Sequence, residues 1–463
     1  MSSSPLTFER PEAARRRPPR SLRALPLRAD VGVTFAVEFL VLGASLLTLR
    51  LAATHWGAAG FGDFVLARRA LGWIQLPALL GLHLALARFV AMAEAAGRFR
   101  EAAGYLRGGT QLIVASLAAL VALLLVLQRP LAFLLLGDAG ATDTMRAVAL
   151  AIAGLVAHTV AYGALRGRRR TRAANALQAL SLGIVPLVAI TLPGVTVVRY
   201  LTLTGGAMLV GGALVAASMA RGVRGATPSP GVTRSLRREL LAYGAARVPG
   251  ELALGALFAL PVVLAAHRAG AVAAGQIGLA LSLLQLVGAL FSPLGQAMLP
   301  AISARVAKGE LAAVRRMVRL TALGGIALAT LSVMVVVGAT PWVLSRFFGP
   351  EFVPAVPLVR IVVVAGVPYG VYVLLRAVLD AVHCRPLNAR NLVIALAAFL
   401  VVALTVGTTW GLASGILVAM TVLGGRTLLD ALRSTALPAT APCPAPDADA
   451  TAAAPMPPGS EAL

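Results

Sequence analysis

The sequence predicts an all-α polytopic membrane protein: about twelve transmembrane helices in two six-helix lobes, related by a pseudo-two-fold axis along the membrane normal. Three observations carry this. Only 13% of the 463 residues are charged and 59% are hydrophobic, against about 25% charged in an average soluble domain. The mean hydropathy is +0.85, and apolar runs of about 20 residues, enough to cross a bilayer, recur along the chain. The basic residues gather in every second connection, as the positive-inside rule requires of a multi-pass protein. Soluble-enzyme readings drop out, and so does disorder for the bulk of the chain.

The elements follow in order. Residues 1–28 form a basic arm, with Arg10, Arg15, Arg16, Arg17, Arg20, Arg23 and Arg28 interrupted by prolines. The span behind it is too long for a cleavable signal core, so it reads as a retained anchor with the arm in the cytoplasm. Candidate spans are 30–54, 64–90, 109–129, 144–166, 174–194 and 196–219, then 240–266, 272–300, 318–340, 355–380, 391–408 and 410–430. The domains are therefore the arm, an N-lobe over 29–219, a cytoplasmic linker over 220–239, a C-lobe over 240–431, and a disordered cytoplasmic tail over 432–463. The Ala, Pro and Asp content of that tail argues against packing.

Loop charges support the count. Odd-to-even connections such as 55–63 and 409–411 carry no Lys or Arg, whereas 166–172, 221–238 and 305–319 are strongly basic. About 30 of the 41 basic residues fall on the arm, the even-to-odd loops and the tail. Both termini are expected on the cytoplasmic side of the membrane.

The two halves also read as a repeat. A shift of 213 residues places Glu38 on Glu251, and Leu51, Ala52 and Ala53 on Leu264, Ala265 and Ala266. It also places Gly57 and Ala58 on Gly270 and Ala271, Gly62 on Gly275, and Leu66 and Ala67 on Leu279 and Ala280. Both copies begin on the same side, so they run parallel. Parallel halves around a central cavity are the layout of an alternating-access transporter.

The net charge of +23 comes from 41 Lys+Arg against 18 Asp+Glu, with Lys308 the only lysine. Topology accounts for most of these charges, and no nucleic-acid partner is expected. Cys384 and Cys443 form no pairing or metal-ligand spacing. The five histidines are dispersed, and no phosphate-binding loop of the GxxxxGK[ST] kind is present. The chain is read as no enzyme and as needing no cofactor or metal. Ion gradients, the membrane potential or the substrate gradient must drive it.

Two segments carry a family resemblance. GAAGFGDFVLARRALGWIQLPALLGLHLALARFVA (57–91) and FFGPEFVPAVPLVRIVVVAGVPYGVYVLLRAVLDA (347–381) resemble Wzx-type oligosaccharide flippases. These form the polysaccharide-export branch of the multidrug/oligosaccharidyl-lipid/polysaccharide transporter superfamily. The resemblance implies a cationic lumen between the lobes. It also implies passage of a polyprenyl-diphosphate-linked oligosaccharide from the inner to the outer leaflet, for O-antigen or exopolysaccharide synthesis, among membrane lipids and beside polysaccharide polymerase machinery.

Charge within the bilayer costs from about 2.5 kcal/mol per residue, so intramembrane ionisable groups are the candidate site. Glu38 and Glu251 are the ion-coupling candidates, for H+ or Na+. Arg247 lies four residues before Glu251, and an i, i+4 ion pair is the structural alternative there. Arg50, Arg68, Arg69, Arg247, Arg360 and Arg376 are the lumen candidates, since a diphosphate needs bidentate, permanently charged donors. Arg68 and Arg69 point about 100° apart on a helix, so at most one faces the lumen squarely. Snorkelling is the alternative for Arg50, Arg68 and Arg69, and pairing with Asp380 the alternative for Arg376. His83 and His158 read as hydrogen-bonded packing residues, with proton relay as the alternative. Gln75, Gln178, Gln285 and Gln296 bind sugar hydroxyls or bridge helices. Pro186, Pro249, Pro261, Pro293 and Pro368 are candidate bending points.

Two rivals are weighed against the flippase. A drug/cation antiporter of the same superfamily would favour an acidic, aromatic-lined cavity, whereas only 5% of this chain is aromatic. A membrane glycan polymerase or ligase would carry a sizeable outer loop, and the longest expected here are about 14 residues.

Overall fold

The computed structural model describes residues 24–95, 97–168, 170–221, 230–307, 310–382 and 387–434. Arm residues 1–23, Lys308, Cys384, Cys443 and the tail beyond 434 lie outside the described residues, as do the side chains of His83 and Gln296.

The first half comprises α1 (Ala24–Leu79), α2 (Leu82–Ala95), α3 (Phe99–Val126), α4 (Gln128–Leu136), α5 (Thr142–Gly167), α6 (Thr171–Gln178), α7 (Val185–Ile190) and α8 (Val197–Arg221). The second half comprises α9 (Pro230–Ala245), α10 (Val248–Ala307), α11 (Leu311–Trp342), α12 (Val356–Val364), α13 (Gly366–Val382), α14 (Leu387–Val406) and α15 (Thr409–Ser434). Among the described residues, ten helices are long and apolar enough to cross a membrane. Two of them are double. α1 breaks at Gly57 (φ 64°, ψ −175°) and α10 at Gly270 (φ 80°, ψ −176°), so the crossings number twelve.

Those breaks make two of the connections single residues. A positive φ with extended ψ is open to glycine and costly for any residue with a Cβ. One residue therefore turns the chain back on itself, and no separate loop is needed. Gly57 and Gly270 are 213 residues apart, so the sequence repeat is written in matching backbone angles.

Several helix boundaries differ from those expected. Helix covers much of the expected linker: α9 runs over Pro230–Ala245 and packs on α2 and α3. Its Leu236 and Leu240 are buried. Tyr105 donates its hydroxyl to Glu239, Arg88 donates to the Tyr243 hydroxyl at 3.2 Å, and Arg237 bonds Gln111. Leu236 and Leu240, with Arg237 beside them, hold one face against the lobe while Arg234 and Arg238 are exposed on the other, which is an amphipathic pattern. The expected span 240–266 therefore divides, and its membrane part starts with α10. The expected span 355–380 divides into α12 and α13 beside Gly366. α4 fills part of the expected loop between the third and fourth spans. The expected span 174–194 holds a π-helical stretch, Ala179–Ile184, just before Pro186. Proline lacks the N–H that an α ladder needs, and the wider turn absorbs the mismatch.

The lobes meet along the limb of α1 after Gly57 and the limb of α10 after Gly270. Contact is tightest near the two glycine turns, called here the hairpin end. A Cβ on Gly62 would fall 1.9 Å from the Ala271 carbonyl oxygen. Phe61 stands edge-on to Phe352 at 5.3 Å and to Phe348 at 6.3 Å. Glu351 accepts from the Ala58 amide at 3.3 Å. The opposite end carries the arginine-rich connections and is called the basic end.

Candidate functional site

Between the lobes, on the basic-end side of this seal, lies a cavity of about 380 Å³. Three helical stripes line it. α1 contributes Phe35, Glu38, Phe39, Leu42 and Ser45. The second limb of α10 contributes Gln285, Gly288, Ala289 and Ser292, and α13 contributes Tyr369, Val373 and Arg376. Each set recurs at three- and four-residue spacing, so each is one face of a helix.

Glu38 is exposed to the cavity and accepts from the Gln178 amide at 3.1 Å. One turn away, the Asn175 amide donates to Thr34 at 3.0 Å. Gln178 thus bridges helices. Both amides are buried, and their carbonyl oxygens, Asn175 Oδ1 and Gln178 Oε1, have no hydrogen-bond partner among the described residues. Buried orphan acceptors cost about 1–3 kcal/mol each. A carboxylate with two unused amide oxygens beside it is an oxygen-rich set that suits a small hard cation or a proton. The stretch Ala179–Ile184 follows directly, and π turns concentrate at functional positions.

Arg376 lines the cavity, and its charge bears on Tyr372. Its backbone carbonyl and the Asp380 carboxylate both accept from the Asn388 amide, at 3.0 and 2.8 Å, which moors the end of α13 to α14. Arg69 stands one layer behind the lining. It donates to Gln285 Oε1 at 2.7 Å, to Ser282 Oγ at 2.9 Å and to the Gly278 carbonyl at 3.4 Å. Arg68 turns the other way, and its charge is felt at Tyr200 within the first lobe.

The remaining candidates lie outside the lining. Arg247 covers the Tyr243 ring at 3.7 Å and donates to the Tyr243 carbonyl at 2.9 Å. Its charge acts on both Glu251 and Asp380. Glu251 is half-buried beside it rather than on the cavity wall. Arg50 lies over the Phe347 ring at 5.0 Å. Arg360 is exposed and reaches the Val337 carbonyl at 3.4 Å. His158 is buried and stacked on Tyr162.

The lining therefore holds one carboxylate and one guanidinium, a balanced pair rather than a cluster of cations. Sequence reasoning missed Phe35, Phe39, Tyr369 and the two serines. A period reading outward from Glu38 would have found Phe35, Leu42 and Ser45 on its face.

The fold matches solved transporters. An inward-facing multidrug resistance MATE family transporter of the MOP superfamily superposes with a TM-score of 0.74 at 15% identity, over 88% of this chain and 98% of that one. A eukaryotic MATE transporter gives 0.65 at 12%, over 89% and 98%. An outward-facing multidrug resistance MATE family transporter gives 0.58 at 16%, over 88% and 96%. No curated protein matches the chain. The model of the family described as polysaccharide biosynthesis protein matches residues 27–305. That is more than half of the chain and agrees with the resemblance seen at 57–91, so the chain belongs to the polysaccharide biosynthesis protein family.

Proposed function

We propose that this protein flips a polyprenyl-diphosphate-linked oligosaccharide from the inner to the outer leaflet of the bacterial cytoplasmic membrane. The basic end faces the cytoplasm, as the positive-inside rule asks. The observation that carries the reading is a cavity at the interface of two pseudo-symmetric lobes that presents Glu38 and Arg376 on the basic-end side of the hairpin-end seal, in a chain of the polysaccharide biosynthesis family. Arg376 offers the first fixed cation to an entering diphosphate. Charge-assisted bonds of this kind contribute about 1.5–3 kcal/mol. Gln285, Ser45 and Ser292 supply hydrogen bonds for sugars. Glu38, with Asn175 and Gln178, takes the H+ or Na+ whose exchange resets the cycle, and the lobes then rock about their shared seam. The polyprenyl tail stays in lipid, and the product is handed to polymerase machinery for O-antigen or exopolysaccharide assembly.

The test is mass spectrometry of lipid-linked saccharides in a deletion strain, with labelling by membrane side. One polyprenyl-diphosphate oligosaccharide should accumulate on the cytoplasmic leaflet. Normal arrival at the outer leaflet sinks the proposal.

A second reading has its own observation. Phe35, Phe39 and Tyr369 share the cavity lining with Glu38 and Tyr369 stacks on Tyr372, and aromatic faces in one cavity with a carboxylate suit an organic cation. An antiporter of that kind leaves the glycolipid pool unchanged on deletion and raises sensitivity to lipophilic cations.

A further inference from the structure

The seam between the lobes contains a column of residues that meet their own counterparts. Gly62 faces Gly275: a Cβ on Gly275 would lie 3.2 Å from the Gly62 Cα. Val65 faces Gly278: a Cβ there would lie 2.0 Å from Val65 Cγ1. Arg69 donates to Ser282 at 2.9 Å. Each pair is separated by 213 residues, the repeat shift. A residue touches its own symmetry mate only on the symmetry axis, so the pseudo-two-fold axis runs through these pairs. Positions 62, 65 and 69 lie on one helical face.

The column ends at Arg69. The next pair on this face is Gly72 and Gln285. A side chain at Gly72 would meet open space, while Gln285 lines the cavity. The limbs therefore close like a zipper from the hairpin end and part just below Arg69. The upper two pairs are glycine and valine contacts with no polar bond. The Arg69 pair is where the symmetry breaks, with a cation on one side and a hydroxyl on the other. Its guanidinium lies within the membrane span. It is satisfied by three acceptors of the second half, one of which faces the cavity.

We infer that Arg69 is the positioning residue that ties the hairpin-end seal to occupancy of the cavity. An anionic group at the cavity ceiling takes the guanidinium from Gln285 and Ser282, and the zipper is released. The chemistry is acceptor exchange. Two neutral oxygens are replaced by charged ones, which bind a guanidinium about twice as strongly. Nothing else in the column holds the limbs by a charged group, so loss of this one staple acts directly on the glycine contacts above it. The inference rests on the diphosphate reading of the substrate.

The experiment places spin labels at A59C and A269C, two exposed positions at the hairpin tips, in a C384S/C443S background. Distances are read in nanodiscs by double electron–electron resonance. Farnesyl diphosphate is the probe and farnesol its uncharged control, with direct radioligand binding measured in parallel. In the wild type, farnesyl diphosphate should add a longer-distance population and farnesol should not. In R69Q the longer population should be present without ligand, farnesyl diphosphate should shift it no further, and its affinity should fall about tenfold or more. R69K keeps the charge but not the fork, and should respond weakly. S282A should open partly and still respond, which separates loss of the staple from misfolding. If farnesyl diphosphate binds the wild type but R69Q stays closed and opens on ligand as before, the inference is overturned while the flippase reading stands. If farnesyl diphosphate fails to bind the wild type at all, both are overturned.

Discussion

The two halves of the molecule share a frame and divide the labour. In both, one glycine turns the chain at the hairpin end, and a close-packed limb follows. The surroundings of the polar residues do not follow the symmetry. Glu38 faces the cavity, whereas its counterpart Glu251 lies half-buried beside Arg247. Arg69 reaches across the axis, and its counterpart Ser282 receives it. Backbone contacts thus keep the repeat where the lobes must close on each other. The surroundings of the charged residues differ between the halves.

Breaking the frame should have the largest effect. In G62L, the added side chain meets the Ala271 backbone at 1.9 Å, which cannot yield as a flexible side chain can. We expect the sealed state to lose about 1–3 kcal/mol or more, as in overpacked cores, with a lower melting temperature and separated hairpin tips. Fluorescence-detected thermal unfolding and spin-label distances check this. An unchanged seal would mean the limbs do not pack as described.

Next comes the contrast of the two glutamates. E38Q should abolish the dependence of transport on the coupling ion, lowering gradient-driven flux by about tenfold or more, equivalent to ~1.4 kcal/mol. E251Q should leave ion dependence intact. Flux in proteoliposomes under imposed H+ and Na+ gradients distinguishes them, and equal effects would erase the proposed division. R376Q, on the cavity wall, should weaken ligand binding by about ten- to hundredfold, from the loss of charge-assisted bonds of ~1.5–3 kcal/mol. Binding assays with a polyprenyl diphosphate measure it. The smallest effects belong to R50Q and R360Q. Both side chains sit away from the cavity, so affinity should change less than about twofold.

Much of the frame was legible in the sequence. Apolar runs and alternating loop charge give the crossings, and the 213-residue shift names the two turn glycines before any angle is known. The site was only partly legible. Glu38, Arg69 and Arg376 stand out because charge in a span is rare. Arg247 and Arg360 stand out for the same reason, yet Arg247 covers a tyrosine ring and Arg360 reaches a backbone carbonyl. Depth along a helix can be read from sequence; the facing direction depends on which neighbour the helix packs against. The aromatic lining was hidden because phenylalanine in a membrane helix carries no signal of its own. The amphipathic α9 was hidden inside a loop by its arginines, glycines and prolines, although Leu236 and Leu240 already showed the period.

α9 also limits how far the basic end can open. It is bonded to α2 and α3 of the first half through Tyr105, Arg88 and Arg237, while α10 of the second half begins after Ala246 and Arg247. Gly244 abuts the Leu80 carbonyl and leaves no slack on that side. Two residues drawn straight span about 7 Å. At that corner the lobes are therefore on a short leash. Any larger gape must swing about it, so the mouth opens as a door hinged on one jamb, wide on the far side and narrow at α9.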